Sequence, residues 1–241
     1  MARLARLTVL FETSTRMPEP RDTGKRSKSW RAWLLLLCAG CASQVAVVTG
    51  SLASTAPDRL KPQQYSAAVQ AYRSACDAGS GQACGYLGFM YDNAFGVRQD
   101  IRHAVALSER GCNEGGAYGC AYLGYLVQMG RGVTASATRA AALFRKACDG
   151  SDTSGCLLLG IMYKTGAGVP EDAEYAVQLF SKACGDGESL ACVSLGYMYA
   201  NGEGVDRDPQ RAEQLFRAAC ANADEIGCQA KAQLDSQQPV P

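Results

Sequence analysis

Ten of the twelve cysteines fall into five pairs of constant spacing: Cys76/Cys84, Cys112/Cys120, Cys148/Cys156, Cys184/Cys192 and Cys220/Cys228. A cysteine can act as a nucleophile, hold a metal or close a disulfide, and its surroundings decide which. An even, regularly spaced set suits a disulfide framework in an oxidising compartment. The alternative is ten reduced, buried thiols in a cytosolic protein, since free cysteine packs well; the regular spacing argues against it. Full pairing leaves no thiolate to attack a substrate. The other two cysteines, Cys38 and Cys41, lie in an apolar leader.

A bridge across eight residues needs two helix ends held close together. The register of the chain supplies them: each cysteine of a pair recurs every 36 residues, and so do Leu87, Leu123, Leu159 and Leu195, and Gly88, Gly124, Gly160 and Gly196. Gly96-Val97, Gly132-Val133, Gly168-Val169 and Gly204-Val205 keep the same register, as do Ala104, Ala140, Ala176 and Ala212. A strict internal period of this length marks a repeat architecture. Within one unit, Cys156, Leu159, Gly160 and Tyr163 occupy one helical face, and so do Ala176, Leu179, Phe180 and Ala183. Gly166 and Gly168 break the chain between the two helices, and Gly185 and Gly187 end the second. The fold class is therefore all-α: an α/α solenoid of helical hairpins. No hairpin buries both its faces, so the hairpins stack.

One cysteine of each pair ends a second helix and the other begins the next first helix. Pairing within each pair is the reading this spacing favours, with Cys84–Cys112 and its equivalents as the competing connectivity. Each local loop would contribute about 2.6 kcal/mol by chain entropy.

Charge is unevenly distributed. Residues 1–40 hold eight basic and three acidic residues, and the remainder holds sixteen basic and twenty acidic ones. A mildly acidic body gains nothing from counterion release on a polyanion, so nucleic acid is excluded as a partner. Lys25-Arg26-Ser27-Lys28 followed by Trp33-Leu34-Leu35-Leu36-Leu37 forms a basic and then a short apolar region, too short to span a bilayer. It runs into Cys38-Ala39-Gly40-Cys41 and resembles a bacterial lipoprotein signal, which implies lipidation at Cys41; Cys38 stands where such signals carry leucine. Cleavage near Ala42 or Ala53, or an uncleaved anchor, are the other outcomes, and each places the body outside the cytoplasm. Met17 is a candidate start for a more ordinary leader. The expected organisation is a leader over 1–41, a flexible Ser/Ala/Thr/Pro linker over 42–62, the solenoid over 63–236 and a disordered tail over 237–241.

The Cys-x7-Cys pairs with Leu-Gly-x-Met-Tyr and Gly-x-Gly-Val resemble the Sel-1-like repeat, a relative of the tetratricopeptide repeat. They are more closely similar to the Helicobacter cysteine-rich protein family, whose members are secreted, disulfide-bridged solenoids. The likeness spans 63–234 and is clearest in the run from Gly196 to Val205; Ala94, Ser108 and Val127 depart from it. Some members carry a β-lactamase or penicillin-binding label, so penicillin binding or weak β-lactam hydrolysis is the alternative function that the resemblance implies. This chain has a single histidine, His103, at a position that varies between units, and its body lacks Ser-x-x-Lys. Lys164-Thr165-Gly166 spells an element of penicillin-recognising enzymes but occupies a repeat turn, and Glu171-Asp172 precedes a helix start where negative charge is favourable. Nothing assembles a nucleophile, base and oxyanion donors, so neither catalytic residues, nor a metal site, nor a cofactor are expected.

What varies over the constant scaffold is a pair of positions on each first helix: Tyr86 and Phe89, Tyr122 and Tyr125, Leu158 and Ile161, Ser194 and Tyr197. The resemblance implies that first helices line the concave side. The expectation is an aromatic-rich groove of Tyr86, Phe89, Tyr122, Tyr125, Leu158, Ile161 and Tyr197, taking a protein or peptide ligand on a monomer. The competing reading packs these tyrosines between adjacent units. The expected setting is the periplasm or outer membrane, with secretion as the alternative.

Overall fold

The computed structural model describes residues 56–221 and 225–237. The leader, Cys38, Cys41 and residues 238–241 lie outside the described residues. Among the described residues ten α-helices follow one another: α1 (Tyr65–Asp77), α2 (Gly81–Asp92), α3 (Ile101–Asn113), α4 (Ala117–Met129), α5 (Ala137–Asp149), α6 (Thr153–Thr165), α7 (Ala173–Gly185), α8 (Ser189–Asn201), α9 (Pro209–Ala221) and α10 (Glu225–Gln237). The described residues hold no strand. First helices (α2, α4, α6, α8, α10) alternate with second helices (α1, α3, α5, α7, α9) in an α/α solenoid.

Each second helix from α3 to α9 starts at a polar cap. Asp100, Ser136 and Asp172 accept the backbone N–H three residues ahead, as Asp208 does from Arg211, which satisfies one orphan donor of the first turn. Three first helices end on a left-handed glycine: Gly130, Gly166 and Gly202. In the first unit Ala94 takes that conformation, at φ 58°. Two backbone bonds close each turn; in the third unit Ala167 donates to Met162 and Asp172 to Tyr163. The second turn glycine has a different task. A Cβ on Gly168 would lie 2.4 Å from the backbone of Ala137, and one on Gly204 2.4 Å from that of Ala173. Each of these units therefore rests its turn on the preceding second helix, and only glycine permits that approach.

The core sits between the helices of each hairpin. Phe144, Phe180 and Phe216 are fully buried, each with its ring against the bare backbone of Gly124, Gly160 or Gly196, where a Cβ would come within 2.6 Å. Burying one such ring contributes about 2–3 kcal/mol. The first unit is built differently. Ser108 replaces the phenylalanine and donates to the Ala104 carbonyl, and Gly81, Gly85, Gly111, Gly116 and Gly119 bring α2, α3 and α4 into backbone contact.

The sulfurs are joined Cys76–Cys84, Cys112–Cys120, Cys148–Cys156, Cys184–Cys192 and Cys220–Cys228, with Cα separations of 4.4 to 4.7 Å. Every bridge ties a second helix to the next first helix. At the N-terminal end, Pro57 and Leu60 are buried beside α1 and two 3-10 turns, Pro57–Arg59 and Pro62–Gln64, precede it. The last residues of the expected linker are thus packed: Leu60 joins the core cluster of Val69, Tyr72 and Leu87.

Candidate binding face of the first helices

One stripe runs along each first helix at i, i+4, i+7 and i+11. It reads Gln82, Tyr86 and Phe89 on α2 with Asn93 just past its end, and Tyr118, Tyr122, Tyr125 and Met129 on α4. On α6 it reads Ser154, Leu158, Ile161 and Thr165, and on α8 Leu190, Ser194, Tyr197 and Asn201. None of these residues is charged.

The structure divides the seven residues expected to line a groove. Tyr125 is 37% exposed and Ile161 39%. Phe89 is half-buried, edge-on to Tyr122 at 5.3 Å. Tyr122 stacks beside both Tyr118 and Tyr125, and its hydroxyl donates to Asp92 Oδ2 at 2.6 Å. Burial pushes that hydroxyl above its ordinary range, and the bond to the Asp92 carboxylate adds to the effect. Tyr86 departs from the expectation: it is 7% exposed, packed against Tyr72 and Tyr118. Leu158 is half-buried against the core, and Tyr197 is half-buried against Phe216 at 5.0 Å. Tyr72 on α1 and Tyr118 on α4 close over the Tyr86 ring and bury it. For Tyr86, Leu158 and Tyr197, packing within and between units is a large part of their role.

Four further members of the face lie outside the expected set. Tyr118 closes over Tyr86, while Met129, Leu190 and Ile226 are 56%, 39% and 49% exposed. The signal for them is in the sequence, since Leu190 and Ile226 are one 36-residue period apart and two and three periods beyond Tyr118. Tyr125, Met129, Ile161, Leu190 and Ile226 are the exposed large hydrophobics among the described residues, and all five lie on first helices, in the stripe register.

Helices α2, α4, α6 and α8 contain two charged residues, Asp92 and Lys164. Both are tied into junctions between units. Asp92, 2% exposed, pairs with Arg131 at 2.7 Å, and Lys164 pairs with Glu203 at 2.8 Å. These are equivalent places two units apart, with the polarity reversed; the junction between them has Gln128 and Ala167. Arg110 Nη2 and Lys182 Nζ likewise repeat one contact two units apart, donating to the carbonyls of Cys76 and Cys148.

The catalytic suspects have structural tasks. Besides the Lys164 pairing, Thr165 Oγ1 donates to the Ile161 carbonyl and Gly166 ends α6 at φ 67°. His103 is exposed, edge-on to the Tyr91 ring at 4.5 Å. Asp172 caps α7. An open depression of about 530 Å³ lined by Tyr91, Val97, Arg98, Gln99 and Asp100 sits at the first hairpin turn; it brings no nucleophile and base together. Among the described residues no group of three or more His, Cys, Asp or Glu is placed to hold a metal, and no helix is long and apolar enough to cross a membrane.

The Sel1 repeat model matches residues 81–116, 117–152, 153–187 and 189–224, together more than half the chain. The chain belongs to the Sel1 repeat family. Each matched segment is one hairpin, a first helix followed by its second. Among solved structures, a Sel1 repeat protein from Oxalobacter formigenes has a TM-score of 0.66 at 24% identity, over 73% of this chain and 71% of that one. A protective antigen of uropathogenic Escherichia coli displaying an SLR fold has a TM-score of 0.65 at 27% identity, over 83% of this chain. This chain spans only 42% of that antigen's length. Helicobacter pylori cysteine rich protein B is 26% identical over 54% of this chain and 96% of its own, with a TM-score of 0.44. No curated protein matches the chain. Sel1 repeat proteins generally act as non-catalytic scaffolds for protein–protein interaction, and these Sel1 units carry their exposed apolar side chains on one set of helices.

Proposed function

We propose that the chain is an exported, monomeric scaffold of the cell envelope that binds a protein or peptide on the outer face of its first helices. The observation that carries this reading is the clustering of all five exposed large hydrophobics of the described residues on first helices, in positions that carry no charge. Large aromatic and aliphatic anchors on a rigid frame are the usual energetic centre of an interface. Five disulfides suit an oxidising environment, and the lipoprotein-like leader supports delivery to the periplasm or outer membrane, with Cys41 as the lipidated residue and residues 42–55 as tether. The reading invokes no cofactor. It assigns Lys164-Thr165-Gly166 to a repeat turn, so β-lactam hydrolysis is not part of it.

The test is capture from envelope extract by the oxidised protein and by a Tyr125→Ala/Ile161→Ala double variant. Loss of the captured protein at least tenfold, with helicity unchanged by circular dichroism, is the expected result. Equal capture by both would leave the first-helix face without a role in binding.

A further inference from the structure

The five bridges are not equally shielded. Both cysteines of the first three pairs are buried, none more than 5% exposed. Cys184, by contrast, is partly exposed beside a buried Cys192, and Cys220 and Cys228 are both partly exposed. At the fourth bridge the difference has a cause in the register. The residue 34 places after the first cysteine of a pair lies on the next second helix: Arg110 for Cys76, Lys146 for Cys112, Lys182 for Cys148 and Ala218 for Cys184. Arg110 and Lys182 reach back to the preceding bridge, donating to the carbonyls of Cys76 and Cys148 at 2.7 and 2.8 Å. Lys182 Nζ also comes within 3.8 Å of Cys148 Sγ. Long stems pinned in this way cover the surface beneath them. Ala218 ends at its Cβ and is itself exposed, so it lays no stem over Cys184.

A disulfide opens by attack of a thiolate on one of its sulfurs, and access to that sulfur gates the reaction. We propose that Cys184–Cys192 and Cys220–Cys228 form a redox-addressable end of the solenoid, opened by a protein dithiol while the first three bridges stay closed. The attacking thiolate bonds to Cys184 Sγ, the Cys184–Cys192 bond breaks, and Cys192 leaves as a thiolate that takes up a proton. The second thiol of the reductant, on losing its proton, displaces Cys184 from the mixed disulfide. Cys184 is protonated in turn, and the reductant departs as a disulfide, having given up two electrons. The same exchange opens Cys220–Cys228. These two bridges tie α7 to α8 and α9 to α10. Helices α8 and α10 carry Leu190, Tyr197 and Ile226, so reduction loosens that part of the face and leaves Tyr125 and Ile161 on stapled layers. Only this last step rests on the binding-face reading; the exchange itself does not.

The experiment treats the oxidised full-length protein with dithiothreitol, a small dithiol, under native conditions. Samples are quenched at intervals with N-ethylmaleimide and mapped by peptide mass spectrometry. Cys184, Cys192, Cys220 and Cys228 should be labelled at least tenfold faster than the other six bridged cysteines. Ala218→Met, which restores a long stem without a charge, should slow labelling of Cys184 and Cys192 at least threefold and leave Cys220 and Cys228 unchanged. Lys182→Ala should speed labelling of Cys148 and Cys156 at least threefold. One common rate for all five bridges, or an unaltered rate at Cys184 and Cys192 in Ala218→Met, overturns the proposal. Neither result bears on the binding reading, which is decided by capture with the Tyr125→Ala/Ile161→Ala variant.

Discussion

Ala94 and Ser151 hold left-handed backbone conformations at φ 58° and 66°. Other units place glycine at both positions: Gly130, Gly166 and Gly202 for the first, Gly79, Gly115 and Gly187 for the second. A side chain with a Cβ costs about 1–2 kcal/mol there. Ala94→Gly and Ser151→Gly should each stabilise the protein by about 1 kcal/mol, as gains in the urea midpoint at unchanged m-value. They lie far apart in sequence, in different units, so the double variant should show the sum. Tyr86 carries a different lesson at this scale. Its type and spacing match those of a groove residue, but burial is decided by the helices around it, and no pattern on α2 alone reports that Tyr72 and Tyr118 close over its ring.

At the element scale, two junctions carry charge pairs of opposite orientation and the junction between them carries none. Arg131→Ala leaves the buried Asp92 carboxylate with Tyr122 as its remaining side-chain donor and should cost about 3 kcal/mol. Lys164→Gln breaks a pair that is more than a third exposed on both sides and should cost about 0.5 kcal/mol at neutral pH. The hydrogen bond from Lys164 holds the Glu203 carboxyl below its ordinary 4.5. Its contribution is therefore fully present above pH 4.5 and lost as pH falls through the lowered value. Urea titrations of wild type and Lys164→Gln at pH 7 and pH 3 should show the difference shrinking towards zero at the lower pH. A difference that persists at pH 3 would mean the lysine acts through packing of its stem.

For the whole molecule, the period of 36 residues makes the hairpins, the turn glycines and the helical stripes legible in the amino-acid sequence, because a solenoid repeats its local rules in every layer. Contacts between layers are less legible. Asp92 and Arg131 are 39 residues apart and belong to different units, so neither residue announces the other. The face itself is half visible. Tyr125 and Ile161 stand out by position, whereas Met129, Leu190 and Ile226 flank those positions and emerge only when the same period is followed to the helix ends. Uniform scaffold and variable face are consistent with selection for stacking on one set of positions and for recognition on another.

The claim that first helices meet the partner can be tested by placing a photocrosslinking benzoyl-phenylalanine at Ile161, on the exposed stripe of α6, or at Ala142, on the exposed side of α5. Illumination of the protein in intact cells should give a partner adduct from position 161 and none from 142. Adducts from 142 alone, or equally from both, would contradict it.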